Sequence, residues 1–97
     1  MIQSFADQGT EDIFDGIDSK AARRKCSQQV WKRARRKLDD INHARDHNDL
    51  RLPKSNNLHP LKGDRAGQWA ISINDQYRIC FRWEGTDAFD VEITDYH

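Results

Sequence analysis

The chain has 97 residues, of which 36% are hydrophobic and 33% are charged, and its formal net charge is zero at pH 7. A chain of this length supports one modest core, so we expect a single domain over residues 1–97. No stretch is apolar enough for a membrane span, the N-terminus lacks a secretion signal, and two cysteines are too few for a disulfide framework, which together favour a reduced, cytoplasmic protein without a membrane partner.

The first half of the chain is predicted to be mainly helical. Residues 1–5 are typical of a short opening strand, and Thr10 is a candidate N-cap for a short helix. The apolar side chains of that helix fall on one side: Ile13, Phe14 and Ile17. A new helix is expected to begin at Asp18 or Ser19. A hydrophobic stripe of helical period then predicts a long helix over residues 20–44, with an alternative in which it breaks near Cys26.

Charge is distributed unevenly along this half. Residues 1–19 carry five acids and no bases, whereas residues 20–37 carry nine bases and no acids. A solvated helix face and a nucleic-acid contact explain such density about equally well. The candidate nucleic-acid contacts are Arg23, Arg24, Lys32, Arg33 and Arg36, together with Arg82 from the second half.

The second half is predicted to form a sheet. Residues 45–68 are polar and rich in turn residues, and we expect a short helix or coil, a loop, and a brief strand near Leu58 or Leu61. Apolar residues then alternate with polar ones over 69–73, 77–83 and 89–93, with turn chemistry between these runs. This pattern predicts an antiparallel meander whose apolar face is covered by the helices and whose polar face stays open, an α+β fold.

The open face gathers chemically useful side chains at its edge. Alternation places Arg78 on this face in the central strand and carries the last strand to Tyr96 on the same side. Asp95 and His97 are expected to flank Tyr96 beyond the strand end. His59 enters from the preceding loop.

These side chains suit cleavage of RNA. The ribose 2′-OH is the nucleophile in that reaction, so the protein supplies a base, an acid and fixed cations around the phosphate. Histidine serves as base or acid near neutral pH. Lys62 and Arg78 are candidates to hold the phosphate, and Tyr96 to stack on a base or orient a proton transfer. No metal or other cofactor is required.

Each of these residues also has a simpler explanation. The terminal residues 95–97 could be a frayed strand end. His59 could be a loop histidine bonded to backbone, and Arg82 could be a solvated sheet residue paired across strands with Glu92. His43 and His47 have the spacing of a metal pair on a helix, but no third ligand accompanies them, so a surface pair is favoured.

Three linked motifs closely resemble those of the HigB-type toxins, which belong to the RelE-like superfamily of bacterial toxin–antitoxin systems. They are LHPLKGDRAGQW at 58–69, QYRICF at 76–81 and DYH at 95–97. The resemblance covers nearly the whole chain. Any one motif alone is weak, but the set at these spacings is specific.

The resemblance implies a small microbial-RNase fold, with two helices packed on an antiparallel sheet. It implies a toxin that enters the A site of the 70S ribosome and cuts the mRNA there, inhibiting translation. It also implies a helix-turn-helix antitoxin of the HigA type, through which operator DNA would be reached indirectly. The site positions that the motifs match are His59, Lys62, Arg78, Asp95, Tyr96 and His97.

By the same resemblance, the terminal histidine is the favoured general base, although an acid role stays open, and the lysine and arginine contact the phosphate. The acid-rich stretch from Asp7 to Asp18 departs from relatives that carry several lysines there. Two other functions compete with the toxin: a non-catalytic nucleic-acid-binding module, and an antitoxin-bound co-repressor with degenerate chemistry.

Overall fold

The computed structural model describes residues 1–96, which form helices and a four-stranded antiparallel sheet. The helices are α1 (Gln8–Asp15), α2 (Lys20–Lys25) and α3 (Gln28–His43). The strands are β1 (His59–Pro60), β2 (Gln68–Ser72), β3 (Tyr77–Glu84) and β4 (Asp87–Asp95). The predicted meander is therefore present, because β2, β3 and β4 fall on the three alternating runs. No helix within this part of the chain is long and apolar enough to cross a bilayer.

Helix α1 begins earlier than the sequence predicted. Asp7 is its N-cap, and its carboxylate accepts a hydrogen bond from the Thr10 backbone N–H at 2.7 Å. Thr10 is buried inside the helix, where its hydroxyl accepts a hydrogen bond from the Ile93 backbone. The prediction of Thr10 as the cap was wrong because a contact with β4 occupies this hydroxyl. Gly16 ends the helix in the left-handed conformation, so Ile17 lies beyond it and is 50% exposed.

The basic stretch folds as two helices rather than one. Ser19 is the N-cap of α2, and its hydroxyl accepts a hydrogen bond from the Ala22 N–H. The sequence predicted that this helix begins at Asp18 or Ser19. The chain then becomes extended at Cys26, and Ser27 caps α3. The indole N–H of Trp31 donates to the Cys26 carbonyl at 2.9 Å, which satisfies a backbone group that the break exposes. The alternative of a break near Cys26 is confirmed.

Two short 3-10 turns, His47–Arg51 and Lys54–Asn56, connect α3 to the sheet. The predicted helix or coil in this region is thus a pair of single turns. Strand β1 contains only two residues and lies between the two positions at which a brief strand was expected. A third 3-10 turn, Gly63–Arg65, lies in the connection between β1 and β2.

The strands are arranged in chain order, β1-β2-β3-β4, and each neighbouring pair is antiparallel. The opening segment pairs in parallel with the outer edge of β4 through two isolated bridges, at Ile2 and Phe5. The predicted opening strand is reduced to these bridges.

The core lies between the helices and one face of the sheet. Its fully buried members include Ile13, Ala34, Leu38, Ile41, Ile71, Ile79, Phe81, Val91 and Ile93.

Strand β4 contains an irregularity that reverses the predicted facing of Phe89. The pairing register with β3 shifts between Cys80 and Arg82, and Asp90 adopts a positive φ of 54°. An extra residue of this kind exchanges the two faces of the strand on one side of it. Ala88 consequently fills the core position, and Phe89 lies opposite Arg82 on the polar face. The prediction that Phe89 faces the core was wrong.

Candidate active site

The polar face of the sheet is organised in rows, because residues that pair directly across strands share a face. One row contains Ser72, Arg78 and Thr94. The next row contains His59, Ala70, Cys80 and Glu92, and the third contains Gln68, Arg82 and Phe89. His59 and Arg78 therefore lie on the same face, in adjacent rows and two strands apart. Two interstrand spacings separate their backbones by about 10 Å laterally.

Arg78 and Tyr96 are in direct contact at the end of this face. The guanidinium carbon of Arg78 lies 5.2 Å from the centroid of the Tyr96 ring, a cation–π arrangement. The Tyr96 hydroxyl donates to the Asn74 carbonyl at 3.0 Å, and its backbone N–H donates to the Gln76 carbonyl. Nε of Arg78 is buried and has no hydrogen-bond acceptor among residues 1–96. The ring thus fixes a guanidinium that retains an unused donor.

Asp95 does not share this face. Strand β4 extends through Asp95, which pairs with Tyr77, whose side chain packs against the core. The Asp95 carboxylate accepts a hydrogen bond from the Gln76 amide at 2.9 Å. The expectation that Asp95 flanks Tyr96 beyond the strand end is corrected, because alternation directs these neighbours to opposite sides. His97 lies outside the described residues.

His59 is half-buried and held by the backbone. Its Nδ1 lies 2.7 Å from the carbonyl oxygen of Asn57, a residue in the left-handed conformation. A carbonyl oxygen only accepts, so Nδ1 carries the proton of this bond and Nε2 is left for proton transfer. Lys62 is exposed and lies two residues after the end of β1, in the connection to β2.

That connection folds back over the polar face through Arg65, a residue that is not among the predicted site residues. The Arg65 guanidinium donates to Gln68 Oε1 on β2 and to Glu92 Oε1 on β4, each at 3.1 Å. The Arg65 guanidinium therefore bridges a side chain of β2 and a side chain of β4, and the strand between these two is β3. Cys80, which lies on this face in β3, is completely buried. Alternation already placed Glu92 on this face, but no periodic signal marks a loop that folds back.

Arg82 is neutralised within the sheet. Its guanidinium pairs with Asp90 at 3.2 Å and with Glu84, and it lies 5.1 Å from the Phe89 ring centroid. Hydrogen bonds from Arg82 to Glu84 and Asp90 raise its pKa further. The predicted cross-strand partner, Glu92, was wrong because Glu92 lies opposite Cys80 and its carboxylate pairs with Arg65.

The nine bases of the basic stretch have different environments. Three are used internally: Lys25 pairs with Asp7 at 2.7 Å, Arg35 donates to the Ile13 carbonyl, and Lys37 is buried. Arg23 pairs with Asp18 on the surface. The other candidate nucleic-acid contacts are exposed, namely Arg24, Lys32, Arg33 and Arg36. They belong to the helical layer and not to the polar face of the sheet.

The two spaced histidines have separate surroundings. The His43 ring bonds to the Asp39 carbonyl at 2.8 Å, whereas the His47 ring packs on Trp69 with 4.3 Å between centroids. Within residues 1–96, no group of three histidine, cysteine or acidic side chains is placed to hold a metal ion. These histidines are accounted for by backbone and ring contacts.

Comparison with known proteins places these features in a family context. The HigB-like toxin family, described as the RelE-like toxin of the type II toxin–antitoxin system HigB, matches residues 3–97. A protein from Proteus vulgaris named endoribonuclease HigB is similar, with 35% identity over 98 residues that cover 100% of both chains. A YafQ variant from E. coli has a similar structure, with a TM-score of 0.61 at 12% identity over 99% of this chain and 94% of that one. The YoeB–YefM complex from Staphylococcus aureus matches with a TM-score of 0.60 at 12% identity, over 100% and 98% of the two chains.

Proposed function

Because the chain belongs to the HigB-like toxin family of type II toxin–antitoxin systems, we propose that it is a metal-independent endoribonuclease toxin. The resemblance that the sequence motifs suggested is confirmed for the family and for the RelE-like fold. Membership of a toxin–antitoxin family also supports an antitoxin partner. We propose further that this partner is a HigA-type helix-turn-helix protein, and that the substrate is mRNA in the A site of the 70S ribosome.

One observation carries the proposal: the Arg78 guanidinium is fixed against the Tyr96 ring with Nε unused, on the same sheet face as His59. A phosphodiester in cleavage develops negative charge on its nonbridging oxygens, and a preorganised guanidinium stabilises that charge.

The reaction we propose needs no protein nucleophile. The ribose 2′ oxygen loses its proton to a base and attacks the adjacent phosphorus, and the bond from phosphorus to the 5′ oxygen breaks. The leaving 5′ oxygen takes a proton from an acid, which gives a 2′,3′-cyclic phosphate and a free 5′-hydroxyl. Imidazoles suit both proton transfers because their pKa lies near neutrality.

We assign these proton transfers to His59 and His97. The hydrogen bond to Asn57 leaves Nε2 of His59 available for one of them. His97 is proposed from the terminal motif as the other group, acting as base or as acid. Lys62 contributes a mobile cation from the exposed loop next to His59. Asp95 is proposed to act indirectly, because its carboxylate lies on the other side of the strand and bonds to Gln76.

The test is induced expression without an antitoxin. We expect growth arrest and mRNAs cut within ribosome-bound reading frames. Arg78→Ala is expected to relieve the arrest. Arg82→Ala is expected to remain toxic, because Arg82 lies on the same strand and face but is already neutralised by Glu84 and Asp90. His97→Ala is expected to behave like Arg78→Ala. A folded Arg78→Ala protein with undiminished toxicity would contradict the proposal.

A non-catalytic nucleic-acid-binding module is the second candidate, favoured by the exposed bases of α2 and α3. The antitoxin-bound co-repressor is a variant of this second candidate, in which the protein binds an antitoxin but does not cleave RNA. Under either reading, Arg78→Ala leaves the phenotype unchanged. Replacing Arg33 and Arg36 with glutamine would instead weaken binding to nucleic acid and reduce its salt dependence.

A further inference from the structure

A buried polar contact joins helix α3 to the segment that precedes β1. Lys37 is only 9% exposed, and Asn56, in the second 3-10 turn, is completely buried. The Lys37 ammonium donates to Asn56 Oδ1 at 2.5 Å. Within residues 1–96, this ammonium forms no ion pair with a carboxylate. A buried charge held only by an amide is costly compared with an apolar pair of the same size, so packing alone does not explain it.

The amide of Asn56 continues this contact into the backbone. Its Nδ2 donates to the Leu50 carbonyl at 3.2 Å and to the Leu52 carbonyl at 3.4 Å. One side chain therefore ties the two 3-10 turns to each other and to α3. We call Lys37 and Asn56, with these bonds, the clamp.

The clamp ends next to the residue that orients His59. Asn57 follows Asn56 directly and adopts φ 50° and ψ 48°, which sets the direction of its carbonyl. That carbonyl accepts the Nδ1–H of His59 at 2.7 Å. The position of the His59 imidazole thus depends on the Asn57 carbonyl. The preceding residue, Asn56, is held by Lys37 on one side and by the Leu50 and Leu52 carbonyls on the other.

We propose that Lys37 and Asn56 are positioning residues for the reaction, which through the Asn57 carbonyl hold the His59 imidazole with Nδ1 protonated and Nε2 free. The catalytic consequence of this inference rests on the proposed function. The tautomer of His59 does not, because it is a property of the folded chain alone.

A merely structural role predicts something different. Packing requires the volume of the two side chains, which methionine and leucine supply almost equally well. Positioning requires their polar atoms, because only these fix the turns that carry Asn57. A double substitution that keeps volume and removes polarity therefore separates the two roles.

The experiment compares the wild-type protein with the double variant Lys37→Met, Asn56→Leu. Nitrogen-15 spectra of the imidazoles report the tautomer of His59. The signals of His59 are identified as those that disappear in the His59→Ala variant. Single-turnover cleavage on programmed ribosomes reports the rate at saturating substrate and the half-saturating concentration. We expect a mixed His59 tautomer, a rate lowered about 10-fold or more, and a half-saturating concentration within about 2-fold of wild type, as for a misplaced catalytic group.

Asn48→Ala is the matched control, since Asn48 lies in the first 3-10 turn and its side chain accepts a hydrogen bond from the exposed Arg51 side chain. It should leave the tautomer and the rate unchanged. If the double variant does not fold, Lys37→Met alone is measured, because Asn56 then keeps its bonds to Leu50 and Leu52. A folded variant of either kind with the wild-type tautomer and rate overturns the proposal. A wild-type protein that cuts no RNA overturns the proposed function instead, and the tautomer still decides the role of the clamp.

Discussion

Arg65 and Glu92 form an ion pair, 3.1 Å long, that spans β3 and joins the connection between β1 and β2 to β4. Both side chains are partly exposed, with exposed fractions of 33% and 25%. Glu92 also lies 3.6 Å from Lys25. Lys62 lies on the same connection, three residues before Arg65, so we expect this pair to restrict the movement of that lysine.

Glu92→Gln is expected to slow RNA cleavage about 10-fold, because a small displacement of a phosphate-binding group is sufficient for such a loss. The free energy of unfolding should fall by only about 1 kcal/mol or less, as for other partly exposed ion pairs. The rate is measured in single turnover and the stability by urea denaturation. Glu84→Gln, which removes a carboxylate paired with Arg82 on the same face, serves as the control and should leave the rate unchanged. An equal loss in both variants would show that general charge, rather than the Arg65 contact, is responsible.

Substitutions of Tyr96 should separate its ring from its hydroxyl. Tyr96→Phe keeps the ring over which Arg78 lies and removes the hydrogen bond to the Asn74 carbonyl. We expect Tyr96→Phe to retain most activity and Tyr96→Ala to lose about 10-fold or more, since loss of an aromatic partner also frees the guanidinium. Cleavage rates of the two purified variants decide this. Equal loss in both variants would assign the role to the hydroxyl, as a proton carrier.

The stability of the fold should depend on pH through Asp7. Burial opposes ionisation of its carboxyl, but hydrogen bonds from Lys25 and Thr10 outweigh that effect and lower its pKa below the ordinary 3.8. A depressed pKa contributes stability that is fully present above the unfolded value and is lost as the pH falls through the folded value.

Asp7→Asn keeps the helix cap and removes the charge, so the variant should be about 0.5–1 kcal/mol less stable at pH 7. The difference should shrink as the pH falls below 3.8. Urea denaturation across this range measures it, with Asp75→Asn, an exposed residue of the turn between β2 and β3, as the control. A difference that stays constant down to low pH would contradict the assignment.

Gly9→Ala should destabilise the protein, although alanine is the better helix former. A Cβ at Gly9 would lie 2.6 Å from the Ala21 carbonyl oxygen, so α1 and α2 would have to separate. We expect a loss of about 1–3 kcal/mol, typical of overpacking, in place of the gain of about 1 kcal/mol that propensity alone predicts. Thermal and urea denaturation measure this. Gln29→Ala, at an exposed position of α3, should be neutral, and a stabilised Gly9→Ala variant would refute the close contact.

Much of the sheet was predictable because its apolar residues alternate without interruption. The same alternation placed Arg78 and Tyr96 on one face, and their contact is present. It failed at Phe89, because one extra residue in β4 reverses the facing while leaving the pattern intact on both sides. Asp95 was misplaced for another reason, since the strand continues two residues beyond Ile93, where its apolar pattern ends.

The contacts that the sequence did not reveal connect distant residues through polar atoms. Asp7 and Thr10 are both good capping residues, and a contact between Thr10 and Ile93 decides which of them caps the helix. Arg65 and Glu92 are 27 residues apart and belong to no shared period. Such pairs depend on how the loops fold back, which local patterns do not specify.

The parallel bridges at the outer edge of β4 restrict how a partner can bind. The Gln3 and Ala6 N–H groups donate to carbonyls of β4, at 2.8 Å and 3.0 Å, and so occupy that edge of the sheet. The opposite edge is β1, which has two residues, one of them Pro60 without an N–H group. Within residues 1–96, neither edge offers the long row of free backbone groups that strand addition requires. We therefore expect an antitoxin to recognise side-chain surfaces of this protein, with its specificity encoded in residue chemistry rather than in main-chain pairing.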